Sequence, residues 1–213
     1  MTQPHSTTPI METGLPIAEA DAALILIHGR GAGPQGMMPL LAHLNVPGYS
    51  FLLPAASGNT WYPNRFIVPR DQNQPHLDAA LQKVDSVVSN LVEQGIPTEK
   101  IVLLGFSQGA CLATEYAARN PARYGGVVAL SGGLIGADDE LVGYEGDLQG
   151  TPIYLGCDAD DFHIPQQRVD HSADILTQLG GKVKKQIFTG LGHTVNEVEL
   201  AITRKMMTNV TGQ

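Results

Sequence analysis

The sequence predicts an α/β protein built on a mainly parallel sheet that is covered by helices on both faces. Three observations predict this class. Short, nearly continuous apolar runs suit strands that are buried on both faces. These runs alternate along the chain with segments of helical periodicity. The 213 residues, 43% of them apolar, fit one domain with a full core, expected over residues 10–213 after a disordered tail at residues 1–9.

The predicted elements follow one another in a regular order. Residues 22–29 end on glycine and form the first predicted strand. Further strands are expected at residues 49–56, 101–107, 125–132, 152–157 and 183–189. Helices are expected at residues 37–44, 75–95, 108–120, 165–179 and 195–209. In the longest helix, Leu77, Leu81 and Val84 recur at helical spacing, and Gly95 closes it.

Residues 57–74 interrupt this alternation, because they show neither the helical nor the strand period. Loops of this length are uncommon in compact domains and are often functional. The segment contains Trp61 and Tyr62. We expect these aromatic side chains to anchor the loop and to form a wall of a substrate pocket.

Composition excludes several classes of function. The formal net charge is −8, so the chain lacks the basic surface that binds nucleic acid or anionic membranes. No apolar run is long enough to span a membrane, and the first residues lack the pattern of a signal peptide. With only two cysteines, no disulfide framework is indicated. We expect a cytoplasmic protein; the sequence leaves open whether it forms a homodimer.

The segment Gly105-Phe106-Ser107-Gln108-Gly109 follows a predicted buried strand and opens a predicted helix. A serine between glycines in this strand-turn-helix setting is typical of a nucleophile elbow. The turn is so tight that side chains two positions before and after the serine would clash. At the helix amino terminus, the helix dipole favours developing negative charge. Ser107 is therefore the candidate nucleophile.

A serine hydroxyl needs a base, and in this arrangement the chain order is serine, acid, histidine. Of the histidines after Ser107, His171 is predicted within a helix, and His163 at the rim of a pocket. His193 follows the last strand in a glycine-rich loop, so we predict that it is the base. The acid should follow residues 152–157, where the candidates are Asp158, Asp160 and Asp161.

An oxyanion requires two preorganised N–H donors. We predict the backbone amide of Gln108 as one, and the amide of Arg30 in the His28-Gly29-Arg30-Gly31 turn as the other. His28 comes too early in the chain to be the base and is expected to bond to backbone. The Arg30 side chain is expected to be solvated.

Two rival interpretations use other residues. Cys157, three aspartates and His163 lie close together and resemble a metal site, but no second cluster completes a ligand shell. Gly29, Gly31 and Gly33 follow a strand as in a dinucleotide-binding turn, but position 34 is proline, and no phosphate-binding loop of the G-x-x-x-x-G-K type is present. We therefore expect no metal and no cofactor.

The segments LIHGRGA, GFSQGACLATEYA, VALSGGL and GLGHTV, in this order, resemble the phospholipase/carboxylesterase family of α/β-hydrolases. The similarity covers most of residues 22–207. In this family the catalytic Asp stands four residues before a proline, and Asp161 stands in this position before Pro165. The frame departs from the family at Phe162, where proline is usual, and by one extra residue after Gly156. Asp160 is the alternative acid.

The resemblance implies a serine carboxylesterase that acts on small to medium acyl esters through an acyl-enzyme. It also implies that Trp61 and Tyr62 border the acyl site. Thioesterases of the family commonly have an acidic residue where Ala32 stands here, which argues against transferring their specificity. An acyl thioesterase or a lysophospholipase remains the alternative within the family. A catalytically silent binding protein on the same fold is the alternative outside it.

Overall fold

A computed structural model describes residues 4–212 of the chain. In this part of the chain, seven strands form one sheet in the order β1-β3-β2-β4-β5-β6-β7. β1 is antiparallel to β3, and all other neighbours are parallel. The strands are β1 (Ile10–Gly14), β2 (Ala22–Ile27), β3 (Tyr49–Pro54), β4 (Ile101–Phe106), β5 (Gly126–Leu130), β6 (Pro152–Asp158) and β7 (Lys182–Phe188).

Among the described residues, five α-helices cover the two faces of this sheet. They are α1 (Met38–Ala42), α2 (His76–Glu93), α3 (Gln108–Arg119), α4 (Gln166–Gln178) and α5 (Glu197–Thr211). Side chains from α2, α3 and α4 pack into the core on one face, and side chains from α1 and α5 into the core on the other. The predicted α/β class is confirmed, with element boundaries within a few residues of those expected.

The central strands explain why the predicted apolar runs are continuous. In β2, Ile25 and Ile27 enter the core beneath α2 and α3, whereas Leu24 and Leu26 enter the core beneath α1 and α5. Successive side chains of a strand point to opposite faces. Since both faces are covered, both sets must be apolar.

Residues 4–9 pack against the loop that follows β3, which corrects the expected disordered tail. His5 is only 1% exposed. Its Nδ1 accepts a hydrogen bond from the Ser57 amide, and its Nε2–H donates to the Trp61 carbonyl. Burial lowers the pKa of His5, in keeping with this neutral tautomer. Polarity alone predicted a free tail because these partners lie more than fifty residues away in the sequence. Residues 1–3 of the expected tail lie outside the described residues.

β1 is the strand that periodicity did not predict. Its five residues, IMETG, are too few and too mixed to show a period, and it forms only through antiparallel pairing with β3. Within residues 4–212, no helix combines the length and apolar character needed to cross a membrane.

The buried carboxyl group of Glu199 predicts a pH-dependent stability. Burial raises its pKa from the ordinary 4.5 to about 7, although one carboxyl oxygen accepts a hydrogen bond from the Asn196 amide. Between these values the folded chain retains a proton that the unfolded chain has released, so stability falls as the pH rises. Raising the pH from 5 to 8 should therefore lower the free energy of unfolding by about 2–3 kcal/mol through this group.

Glu199→Gln should remove that cost, because the amide keeps the acceptor for Asn196 and carries no charge. Urea unfolding at pH 5 and pH 8 measures the difference. Glu197→Gln, an exposed position in the same helix, is the matched control and should follow the wild-type pH dependence. Equal pH dependence in Glu199→Gln and wild type would contradict the prediction.

Candidate active site

Ser107 occupies a sharp turn between β4 and α3. Its backbone has φ 55° and ψ −119°, a left-handed conformation that is strained for a residue with a side chain. Two backbone hydrogen bonds fix the turn. The Ser107 amide donates to the Leu130 carbonyl, and the Ser107 carbonyl accepts from the Cys111 amide. This backbone lifts the hydroxyl to the carboxyl edge of the sheet.

The flanking glycines are required by close backbone contacts. A Cβ atom at Gly105 would lie 2.1 Å from the Gly109 carbonyl oxygen, and one at Gly109 would lie 2.1 Å from the Ile27 carbonyl oxygen. These contacts are far too short for any side chain. A side chain at either position would therefore clash with the backbone, as the sequence predicted.

Ser107, His193 and Asp161 form a continuous hydrogen-bonded chain. His193 Nε2 lies 2.8 Å from Ser107 Oγ, and His193 Nδ1 lies 2.7 Å from Asp161 Oδ2. A carboxylate only accepts, so Nδ1 carries the proton. Nε2 then has a free lone pair facing the serine hydroxyl, which is the arrangement a general base needs.

Asp161 is held in its charged form. Burial raises its pKa, but hydrogen bonds from His193 and from the amides of His163 and Ile164 outweigh burial, so the net pKa lies below the ordinary value. The two amides both donate to Oδ1, at 2.8 and 3.2 Å. Oδ2 is therefore directed at the imidazole.

The other predicted candidates lie elsewhere. Asp160 is exposed, and its amide donates to Asp158 Oδ1; within the described residues, the imidazole of His193 bonds to Asp161 and Ser107 and not to Asp160. His171 is exposed on α4. The exposed ring of His163 meets the ring of His193 edge-on, with centroids 4.8 Å apart. Of the three aspartates, only Asp161 is placed against the imidazole.

Asp158 has a positioning role that the sequence analysis did not identify. Its carboxylate is buried and accepts hydrogen bonds from the amides of Asp160 and Leu191. These bonds, the first above all, hold its pKa below the ordinary value. Asp158 thus joins the loop that carries Asp161 to the loop that carries His193. The available signal was a carboxylate at the end of a buried apolar strand.

Phe106 also supports the imidazole. Its ring lies beside that of His193, with centroids 5.0 Å apart and planes inclined by 37°. The residue belongs to the elbow motif, but the motif leaves its identity free, so sequence reasoning gave it no role.

The turn after β2 is tied to the loop at residues 59–64. The Arg30 guanidinium donates to the carbonyls of Tyr62, Pro63 and Asn64, and the Gly31 amide donates to the Asn59 carbonyl. The Arg30 side chain is exposed, as expected, but these three hydrogen bonds also engage its guanidinium. Such a clamp restrains the position of the Arg30 amide.

His28 bonds to backbone, as expected. Its Nδ1–H donates to the Gly29 carbonyl at 2.7 Å, and its Nε2 accepts from the Ala56 amide at 3.1 Å. Burial lowers its pKa, which favours the neutral ring that these two bonds require.

Gln108 is the first residue of α3, so its amide has no acceptor within the helix. Its side chain is buried and spans to the same loop, accepting from the Trp61 amide and donating to the Tyr62 carbonyl. The two predicted oxyanion donors, the amides of Arg30 and Gln108, thus belong to residues whose side chains hold one common loop.

A cavity of about 330 Å³ opens beside Ser107. Its apolar lining includes Tyr62, Phe66 and Ile164, and its polar lining includes His163. Trp61 is not among the lining residues, contrary to expectation.

The Trp61 side chain is fully buried. Its Nε1–H donates to the His28 carbonyl, and its ring lies 5.0 Å from the His28 ring. The N–H of a buried tryptophan usually finds a hydrogen-bond acceptor. Here the acceptor, the His28 carbonyl, lies under the turn after β2 rather than at the cavity surface.

The mainly parallel sheet with helices on both faces and a serine elbow after β4 define an α/β-hydrolase fold. Comparison with known proteins gives the family. The model of the phospholipase/carboxylesterase family matches residues 9–211. The chain belongs to this family, and the resemblance noted in the sequence is confirmed.

Individual relatives agree with this assignment. Acyl-protein thioesterase 1 of Candida albicans is 28% identical, with 91% of this chain and 94% of the relative covered. Lysophospholipase-like protein 1 of Mus musculus is 26% identical, with coverages of 87% and 85%. The crystal structure of a phospholipase/carboxylesterase from Dyadobacter fermentans matches with a TM-score of 0.91 and 37% identity, over 94% of this chain and 96% of that one.

Proposed function

We propose that this chain is a cytoplasmic serine carboxylesterase that hydrolyses small to medium acyl esters through an acyl-enzyme. The observation that carries the proposal is the 2.8 Å contact between Ser107 Oγ and His193 Nε2 at the wall of an open cavity. Membership of a hydrolase family supports the same chemistry.

The proposed acylation follows from the proton positions. Ser107 Oγ attacks the ester carbonyl carbon while His193 Nε2 takes the hydroxyl proton. The amides of Arg30 and Gln108 bind the oxyanion of the tetrahedral intermediate. The intermediate collapses when the imidazolium protonates the departing alcohol, and the acyl group remains on Ser107.

Deacylation repeats these steps with water. The water oxygen attacks the acyl carbon while His193 Nε2 takes a proton from the water. His193 then returns a proton to Ser107 Oγ as the carboxylic acid leaves. Asp161 keeps the imidazole in the required tautomer and stabilises its charged form. Every step uses side chains and amides of this chain, without a cofactor.

The size of the cavity supports a small to medium acyl group, since about 330 Å³ lies at the low end of ligand sites. The relatives named as thioesterase and lysophospholipase support a second candidate, hydrolysis of acyl thioesters or lysophospholipids by the same residues. Ala32 lines the cavity where many thioesterases of the family have an acid, which favours the ester.

Covalent labelling tests the proposal. A fluorophosphonate should add once per chain, on the peptide that contains Ser107, and the loss of 4-nitrophenyl butyrate hydrolysis should follow the labelled fraction. Intact-protein and peptide mass spectrometry measure the adduct. Full hydrolysis by labelled protein, or labelling confined to another peptide, would overturn the assignment.

A further inference from the structure

We propose that the cavity beside Ser107 takes esters that carry a negatively charged group, a carboxylate or a phosphate, and that Arg65 binds this group. The inference rests on the proposed ester hydrolysis and adds the class of substrate. Three observations support it: the unpaired charge of Arg65, the positive lining of the cavity, and the separation of its apolar lining residues from its charged ones.

Arg65 has no acidic partner among the residues that the structure describes. Within residues 4–212, its guanidinium forms no ion pair, and its one hydrogen bond is a long one of 3.4 Å to the His163 carbonyl. Four of the other arginines, Arg70, Arg119, Arg168 and Arg204, pair with carboxylates. An unpaired guanidinium retains most of its five N–H donors for a ligand.

The lining of the cavity is positive although the chain is acidic. The chain has 21 acidic and 13 basic residues, yet the described residues that line the cavity include Arg30 and Arg65 and no Asp or Glu. The carboxylate of Asp161 is buried and is engaged by His193 and two amides. A cleft lined by one sign of charge concentrates ligands of the opposite sign.

The shape of the cavity separates an apolar part from a charged rim. Tyr62, Phe66 and Ile164 are buried and line it, whereas Arg65 and His163 are exposed and also line it. An ester whose carbonyl lies at Ser107 can place its hydrocarbon against the buried side chains and its charged end at the rim. A guanidinium binds carboxylate or phosphate oxygens in a planar, two-bonded geometry.

The test uses substrates that differ only in charge. Mono-4-nitrophenyl adipate ends in a carboxylate, and its adipamate analogue ends in a neutral amide of the same size. A third ester of similar length, ending in a phosphonate, distinguishes a phosphate site from a carboxylate site. We expect wild type to prefer at least one anionic ester over the amide by about tenfold in kcat/KM, less at high salt.

Substitutions assign the preference to Arg65. Arg65→Gln should lose about tenfold in kcat/KM on the preferred anionic ester and less than about twofold on the amide, and Arg65→Lys should restore part of the loss. Arg123→Gln is the matched control: it removes the same charge beside Gly150, near the amino ends of β5 and β6 and thus at the opposite edge of the sheet. It should keep the wild-type preference.

The outcomes are distinguishable. One contradicting result is that wild type hydrolyses the amide-ended ester and the anionic esters at equal rates. The other is that Arg65→Gln loses equal activity on all of them. Either result would overturn the charged-substrate inference and leave ester hydrolysis standing. Failure of wild type to hydrolyse any 4-nitrophenyl ester would overturn the proposed function and this inference with it.

Discussion

Ser107→Ala should lower kcat for 4-nitrophenyl butyrate by about 10⁴- to 10⁶-fold. The substitution removes the oxygen that would form the acyl-enzyme, and no other hydroxyl is hydrogen-bonded to His193 in the described structure. The fold should persist, because the turn is fixed by the backbone bonds of Ser107 to Leu130 and Cys111. Alanine keeps the Cβ atom and therefore the same strain at φ 55°.

Ser89→Ala is the control for this result, since Ser89 is an exposed serine on α2. It should retain wild-type kcat. Circular dichroism and urea unfolding should find both variants folded. Wild-type turnover by Ser107→Ala would exclude the serine as the nucleophile.

Asp161→Asn should lower kcat by about 10³- to 10⁴-fold. The side-chain oxygen of the asparagine would stay on the amides of His163 and Ile164, which now bond to Oδ1. Its NH₂ group would then face His193 Nδ1. The imidazole would have to accept there and carry its proton on Nε2, so it could no longer take the proton of Ser107.

Asp160→Asn makes the same chemical change one residue earlier. Its side chain is exposed, and the carboxylate bonded to His193 Nδ1 belongs to Asp161, so kcat should stay within about twofold of wild type. Steady-state kinetics of the two variants decide between the adjacent aspartates. A larger loss in Asp160→Asn would transfer the role to that residue.

The serine elbow could be predicted from the sequence because its causes are local. Gly105 and Gly109 lie within two positions of Ser107, and the strand before and the helix after have clear periods. The choice of acid was harder, since Asp158, Asp160 and Asp161 have similar chemistry and follow the same strand. The proline frame of the resembling family favoured Asp161 over Asp160, but the contact of Asp161 with His193 depends on how the loop after β6 turns.

The remaining differences arise from contacts between distant parts of the chain. The pairing of β1 with β3 joins segments about forty residues apart, and no local pattern encodes it. The same holds for the clamp formed by Arg30 and for the buried position of Trp61. Polar residues in loops appear solvated in a sequence, whereas here they satisfy carbonyls that other loops bring to them.

Trp61 is the single tryptophan of the chain, and it is buried with its ring beside those of His5 and His28. All indole emission of the protein therefore originates at one place, beneath the turn that carries Arg30. Tryptophan emission from the chain therefore reports the local packing beneath this turn rather than an average over the molecule. Loosening of residues 4–9, whose His5 contacts Trp61, should change this emission and can be followed without an added label.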